Sequence, residues 1–170
     1  MWEASLNVEP ILKAGSQAGV SEATTFGGEN KDVRRSRVAW LTENKTVKDL
    51  IVPYAQDAAK VMGIEIDGNC EIQFTEYHAT ENGHYDWHHD VDWNNNNGVD
   101  RKLSLTVQLT DSSEYEGGFF DFSEVEKLPP NYRTKGTVLV FPSYLSHRVS
   151  PVTSGVRRSL VAWFSGPTWR

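Results

Sequence analysis

A strictly alternating segment in the middle of the chain most limits how this sequence can fold. Between residues 102 and 110, apolar side chains occupy every second position and alternate with serine, threonine and glutamine. Because successive side chains of a β-strand point to opposite faces, this period of two predicts a half-buried strand. The apolar positions are Leu103, Leu105, Val107 and Leu109.

Other segments predict that most of the chain is β-structure. From Asn69 onward, strand-like runs follow one another, several of them opened by glycines. Seven or more antiparallel strands in so short a chain predict a sandwich or jelly roll. The clearest of the remaining strands are predicted at residues 119–122, 137–141 and 158–164.

Helices are expected only in the first third of the chain. A short one is predicted over residues 10–14, ending before Gly15, and a longer one over residues 46–62. Pro53 lies inside the longer helix and lacks a backbone N–H donor, so it either kinks this helix or marks the start of a new one.

Length and composition predict one domain over residues 1–170. The chain is 38% hydrophobic and has no long apolar run, so no membrane span is expected. The first residues do not resemble a secretory signal, and the single Cys70 favours a reduced, cytoplasmic location. A net charge of -6 argues against general attraction to nucleic acid.

Two segments far apart in the sequence carry side chains suited to iron. His88 and Asp90 are two residues apart and share one side of an extended segment, whereas His89 points the other way. His147 follows the apolar run VLVFP and is expected to come alongside them. Two imidazoles and one carboxylate can hold Fe(II) on one face and leave its other positions open.

Arg157 and Ser159 are also two residues apart, on the predicted last strand. A guanidinium and a hydroxyl on one side of a strand can bind one carboxylate, and we expect the distal carboxylate of 2-oxoglutarate there. Arg158 points away from them and is expected to be a solvated surface charge.

Other interpretations of the histidines remain possible from the residues alone. His84 and Asp86 repeat the spacing of His88 and Asp90, so they form a rival pair of ligands. His84 and His88 would suit a zinc hydrolase if they lay on a helix, but no glutamate stands between them to act as a base.

Taken in order, these motifs resemble the 2-oxoglutarate and Fe(II)-dependent dioxygenases, and among them the bacterial and hypoxia-factor prolyl hydroxylases. The stretch HRVSPVTSGVR, from His147 to Arg157, is the most specific part of the resemblance. Glu116-Gly117-Gly118 is similar to a turn of the family. An aromatic residue precedes the ligand histidine by three positions in the family, and Tyr85 fills that position before His88.

The resemblance implies a double-stranded β-helix, a cupin-like jelly roll, with supporting N-terminal helices. It implies that His88, Asp90 and His147 bind iron. It also implies that Arg157, Ser159 and Tyr77 bind 2-oxoglutarate, and that Arg34, Ser36 and Trp163 lie near the substrate. For Arg34 and Ser36, an exposed strand face is an equally open interpretation.

The implied reaction is hydroxylation of a prolyl residue in a protein or peptide. It would consume 2-oxoglutarate and O2, release succinate and CO2, and use ascorbate as a reductant. The same chemistry on another side chain, a free amino acid or a nucleobase stays open, as does a non-catalytic metal-binding β-module. Residues 92–100, rich in asparagine, are expected to form a turn or a mobile lid over the substrate.

Overall fold

A computed structural model of the chain describes residues 1–25, 30–126, 128 and 131–170. In this part of the chain there are two α-helices, α1 (Glu9–Ala18) and α2 (Lys45–Met62), and a short 3-10 turn, Ala79–Glu81. The strands are β1 (Trp2–Ser5), β2 (Ser21–Glu22), β3 (Arg34–Arg35), β4 (Arg37–Trp40), β5 (Cys70–His78), β6 (His84–His88), β7 (Val99–Gln108), β8 (Tyr115–Gly117), β9 (Phe120–Phe122), β10 (Thr137–Pro142), β11 (His147–Val149) and β12 (Val152–Pro167).

The longer predicted helix is confirmed to within one residue. The Asn44 side chain accepts a hydrogen bond from Val47 N at 3.0 Å and caps the start of α2. The helix continues through Pro53, so this proline does not begin a new element, and it ends before Gly63, whose φ is 65°.

The shorter helix is longer than predicted. Gly15 lies inside α1, and a Cβ atom built on it would be only 2.4 Å from the Phe74 ring. This glycine allows the helix to pack closely on β5 and does not end it. α1 ends instead before Gly19, which has a φ of 71°.

The strands form two antiparallel sheets. The large sheet has the order β1-β10-β7-β12-β5-β4-β2, with β8 paired to one end of β12, and the small sheet has the order β3-β6-β11-β9. The predicted mainly β class is therefore confirmed. β9 and β10 agree with their predicted positions to within one residue.

Each face of the large sheet packs on a different layer. One face packs against α1 and α2 through a large apolar core, which includes Ile11, Ile51, Leu103, Leu105, Leu160 and Phe164. The other face, here called the inner face, carries Arg157, Ser159, Val161 and Trp163 of β12, because these alternate with the core residues of that strand. Side chains of the inner face and of the small sheet line one cavity.

Two strand predictions need correction. β7 is not half-buried, because its polar residues Ser104, Thr106 and Gln108 are as buried as its leucines. The last strand begins at Val152 and not at Arg158, since residues 152–155 pair with β8. Residues 152–155 therefore belong to the last strand.

Candidate active site

The three expected iron ligands meet at one end of the two central strands of the small sheet. His88 ends β6 and His147 begins β11, and the two residues are direct partners in the antiparallel pairing. Asp90 lies two residues beyond β6, where its N–H donates to Ser143 O at 2.9 Å. One possible ligand atom from each of these three side chains lies within 4.8 Å of the others.

Both histidines present the same ring nitrogen to Asp90. Nδ1 of His88 lies 2.7 Å from Asp86 O, and Nδ1 of His147 lies 2.8 Å from Leu145 O. A carbonyl oxygen only accepts, so Nδ1 carries the proton and Nε2 keeps its lone pair for a metal. The Nε2 atoms of His88 and His147 are each 3.5 Å from an Asp90 carboxylate oxygen, Oδ1 and Oδ2 respectively.

The charges in this group suit a divalent metal. Burial, with the nearby His147, lowers the pKa of the His88 imidazole to about 4, so this ring is neutral at neutral pH. Burial alone would raise the pKa of the Asp90 carboxyl, but His147, His88 and the Ser104 hydroxyl outweigh it and lower this pKa. Neutral imidazoles and an ionised carboxylate are the ligands that Fe(II) takes in oxygenases, so these residues fit iron.

Aromatic rings and hydroxyls hold the ligands in place. The Tyr85 ring stacks on His88, with the centroids 3.5 Å apart and the planes 9° from parallel. The Ser104 hydroxyl lies 2.6 Å from Asp90 Oδ2 and 2.9 Å from the Ser143 hydroxyl.

Arg157 lies at the buried end of the inner face. It is 1% exposed, and its Nη2 donates to Gln108 Oε1 at 3.1 Å. Its guanidinium carbon lies 5.6 Å from the Tyr77 ring centroid. Within the described residues its Nε has no hydrogen-bond partner, and a buried donor without a partner is costly. Such a guanidinium fits an anionic ligand.

The other residues expected to bind 2-oxoglutarate lie near Arg157. Tyr77 is the cross-strand partner of Arg157, and both Tyr77 and Ser159 line the cavity that contains the ligand triad. Burial raises the pKa of the Tyr77 phenol, which therefore stays protonated and can donate. The side chains thus form a polar row from Arg157 to the triad.

The opposite end of the cavity is its mouth. Trp163 lies there, 7% exposed, with the Trp40 ring 6.1 Å away on one side and the Arg101 guanidinium 4.0 Å above its ring. Trp40, Arg101, Tyr85 and Trp163 all line this more open part of the cavity.

Arg34 and Ser36 are buried, so the interpretation of an exposed strand face is wrong. Arg34 Nε donates to Ser36 Oγ at 2.8 Å and Nη2 donates to Gln73 Oε1 at 2.8 Å. The guanidinium also lies 4.6 Å from the Tyr85 ring centroid. Arg34 lines the cavity beside the triad, and Ser36 holds it in position.

The rival histidine sites do not form. His84 and His88 lie on a strand, and the ring nitrogens of His84 are 2.7 and 3.0 Å from the carbonyl oxygens of Asn82 and Asp32. His89 points away from the triad, and its Nε2 accepts from Trp93 Nε1 at 3.1 Å. Arg158 is not simply solvated, because its Nε donates to Glu76 Oε2 at 2.6 Å.

Sequence reasoning missed a group of polar residues in the site. Arg101 lies at the mouth, Gln73 lies on β5, and Ser143 lies in the turn after β10. The other three lie on β7, whose polar side was expected to face water. The alternation along β7 was the available signal, since it separates these positions from the apolar ones. The missed residues are Gln73, Arg101, Ser104, Thr106, Gln108 and Ser143.

The matched part of the chain contains the triad and the polar row. A sequence profile of the 2OG-Fe(II) oxygenase superfamily matches residues 72–165. The chain belongs to this superfamily. A PKHD-type hydroxylase of Synechococcus sp. (strain CC9311) is 38% identical over 81 residues, which are 48% of this chain and 36% of that protein. The match thus spans about a third of that relative's length.

Solved structures of prolyl hydroxylases have the same fold. A prolyl-4-hydroxylase of Pseudomonas putida superposes with a TM-score of 0.71 at 16% identity, over 96% of this chain and 91% of that one. The viral collagen prolyl hydroxylase of Paramecium Bursaria Chlorella virus-1 gives 0.66 at 19% identity, over 98% and 97%. The predicted double-stranded β-helix and the predicted family are confirmed. No helix in the described ranges has the length and apolar character to cross a membrane.

Proposed function

We propose that this oxygenase domain hydroxylates a prolyl residue of a protein or peptide. The reaction would use Fe(II), 2-oxoglutarate and O2 and release succinate and CO2, with ascorbate as a reductant. The observation that carries the proposal is one cavity with a 2-His-1-carboxylate group beside a row of polar side chains that leads to a buried arginine.

His88, Asp90 and His147 would hold the iron, which when bound supplies the capacity to activate O2. Arg157, Tyr77 and Ser159 would bind the distal carboxylate of 2-oxoglutarate, because they combine a buried cation with two hydroxyl donors. Phe120, Phe141 and Val149 line the cavity beside the triad and would keep water from the reacting atoms.

The substrate would enter between Trp163 and Arg34. Three of the five N–H donors of Arg34 are engaged by Ser36, Gln73 and Thr24, so the guanidinium is fixed while donors are left for a peptide carbonyl. Fixing a peptide there would place one residue of it near the triad. Residues 92–98 would close over the bound substrate. Val99 and Asp100, the last two residues of the predicted loop, lie in β7 and pair with β12, so they are not part of a lid.

The proposed function can be tested by direct product analysis. The full chain would be loaded anaerobically with Fe(II), given 2-oxoglutarate and O2, and incubated with proline-containing peptides. We expect succinate formation that increases with a suitable peptide, and a gain of one oxygen on a prolyl residue by mass spectrometry. An Asp90→Ala protein should do neither. If turnover occurred only on a free amino acid or a nucleobase, the proposed prolyl substrate would have to be replaced by that class of molecule. No succinate at all would favour a non-catalytic metal-binding module.

A further inference from the structure

We propose that Ser104 and Ser143 are positioning residues that hold Asp90 as a one-oxygen metal ligand and thereby set the metal affinity of the site. The inference rests on the proposed function, because it assigns the metal to the triad. It concerns two serines that lie outside the triad and the carboxylate pocket.

The direction of the hydrogen bonds follows from the chemistry of the groups. An ionised carboxylate only accepts, so the Ser104 hydroxyl must donate its single proton to Asp90 Oδ2, at 2.6 Å. The 2.9 Å contact between the two hydroxyls is then donated by Ser143. The protons therefore point in one direction, from Ser143 to Ser104 to Asp90, and each bond polarises the next.

Ser143 also fixes the backbone of the ligand. Its carbonyl oxygen accepts from Asp90 N at 2.9 Å, and its own N–H donates to Lys102 O at 3.0 Å. Ser143 therefore joins Asp90 to β7, the strand that carries Ser104. All three side chains are buried, with Ser104 and Ser143 at 0% exposure, so water does not compete for these bonds.

Asp90 needs this support more than the histidines do. His88 and His147 are held by strand pairing and by their Nδ1 bonds to carbonyl oxygens. Asp90 follows the end of β6, beyond the paired residues. Without a donor on Oδ2, its carboxylate could rotate away from the two Nε2 atoms.

The bond from Ser104 also limits how the carboxylate binds. Each Asp90 oxygen lies 3.5 Å from a histidine Nε2, Oδ1 from His88 and Oδ2 from His147. Oδ2 already accepts from the Ser104 hydroxyl, so Oδ1 is the oxygen with its lone pairs left for the metal. A carboxylate that used both oxygens would take a position that 2-oxoglutarate or O2 requires. The two serines therefore favour an iron site with its remaining positions open.

The test measures metal affinity alone, with Co(II) titrated calorimetrically into the metal-free full chain. Ser104→Ala should weaken Co(II) binding by about 10- to 100-fold, as for other residues that orient ligands. Ser143→Ala should weaken it less, because Asp90 keeps its bond from Ser104, and Ser104→Thr, which keeps the hydroxyl, should bind closer to wild type than Ser104→Ala does. Ser154→Ala makes the same chemical change at an exposed position of β12, outside the cavity, and should leave Co(II) affinity unchanged.

Wild-type affinity in a folded Ser104→Ala protein would overturn the proposal. If Ser104→Ala did not fold, the comparison would rest on Ser143→Ala, whose unchanged affinity would overturn it equally. The Co(II) titration contains neither 2-oxoglutarate nor substrate, so it is independent of turnover. A wild-type protein that binds Co(II) here but forms no succinate when loaded with Fe(II) and given 2-oxoglutarate would refute the proposed function and leave this inference standing. A wild-type chain that does not bind Co(II) would refute this inference.

Discussion

His88 and His147 face each other across the antiparallel ladder of the small sheet, and their ring centroids lie 4.3 Å apart. This pairing brings together two proposed metal ligands that are distant in the sequence. It makes the proposed metal site a direct product of strand register, because a slip of one residue would turn one of the two imidazoles to the other face of the sheet.

Removing any member of the triad should abolish metal binding. His88→Ala, Asp90→Ala and His147→Ala each leave an incomplete face of ligands, so we expect no stoichiometric uptake of Co(II) in calorimetry. His89→Ala is the matched control, since this neighbouring ring points away and bonds to Trp93. If His89→Ala lost Co(II) binding and His88→Ala kept it, the ligand assignment would be shifted by one residue.

Changes at Arg157 should act on 2-oxoglutarate and not on the metal. Loss of a buried charged hydrogen bond costs about 2 to 5 kcal/mol, so Arg157→Ala should weaken 2-oxoglutarate binding at least about tenfold. Arg157→Lys should have a smaller effect, because lysine keeps the charge but not the planar donor fork. Quenching of tryptophan fluorescence on titration with 2-oxoglutarate would measure the affinity of both variants for this ligand.

The control for Arg157 is its neighbour in the sequence. Arg158 pairs with Glu76 on the other side of β12, so Arg158→Ala should keep the wild-type affinity for 2-oxoglutarate. If Arg158→Ala lost this affinity and Arg157→Ala kept it, the carboxylate site would have to be reassigned.

Arg34→Ala should separate peptide recognition from basal turnover. Because Arg34 lines the cavity next to the triad, we expect loss of peptide hydroxylation while succinate formation without peptide is retained. Arg35→Ala removes an exposed guanidinium from the same strand and should affect neither reaction. Equal loss of both reactions in Arg34→Ala would mean that Arg34 supports the site without binding substrate.

Metal binding should stabilise the fold. The ligands come from β6, β11 and the segment after β6, so the site exists only in the folded chain. At a metal concentration 100 times the Kd, the expected gain in the free energy of unfolding is about 2.7 kcal/mol. Thermal unfolding with and without Co(II) measures it, and His147→Ala should show no gain.

Gly15 should tolerate no larger side chain. A Cβ atom there would meet the Phe74 ring at 2.4 Å, so Gly15→Ala should destabilise the protein by about 1 to 3 kcal/mol through overpacking. Ser16→Ala is the control on the exposed side of the same helix and should be close to neutral. Urea unfolding of the two variants compares them, and equal stability would mean that α1 can shift away from β5.

Candidate metal ligands could be selected from the sequence because chemistry restricts them to a few residue types at fixed spacings. His88, Asp90 and His147 could be chosen in this way, and the structure brings them together. The alternation along β7 correctly predicted a strand. It could not reveal that the polar side faces a cavity, because a pattern does not distinguish water from an internal site.

Features that depend on distant contacts were harder to predict. Val152 is part of a strand through its pairing with β8, and the glycine at position 15 of α1 leaves space for the Phe74 ring. The hydroxyls of Ser104 and Ser143 reach Asp90 from residues that are remote in the chain. None of these contacts has a local signature in the sequence.

The inner face of β12 also has a consequence for the order of binding steps in the proposed reaction. Arg157, Ser159, Val161 and Trp163 follow one another on this face, and at a rise of about 3.3 Å per residue the first lies about 20 Å from the last. Arg157 is buried and Trp163 borders the mouth, so a peptide seated at Trp163 would obstruct the passage to Arg157. In the proposed reaction, 2-oxoglutarate would therefore have to bind before the peptide, and succinate would leave only after the hydroxylated product had dissociated.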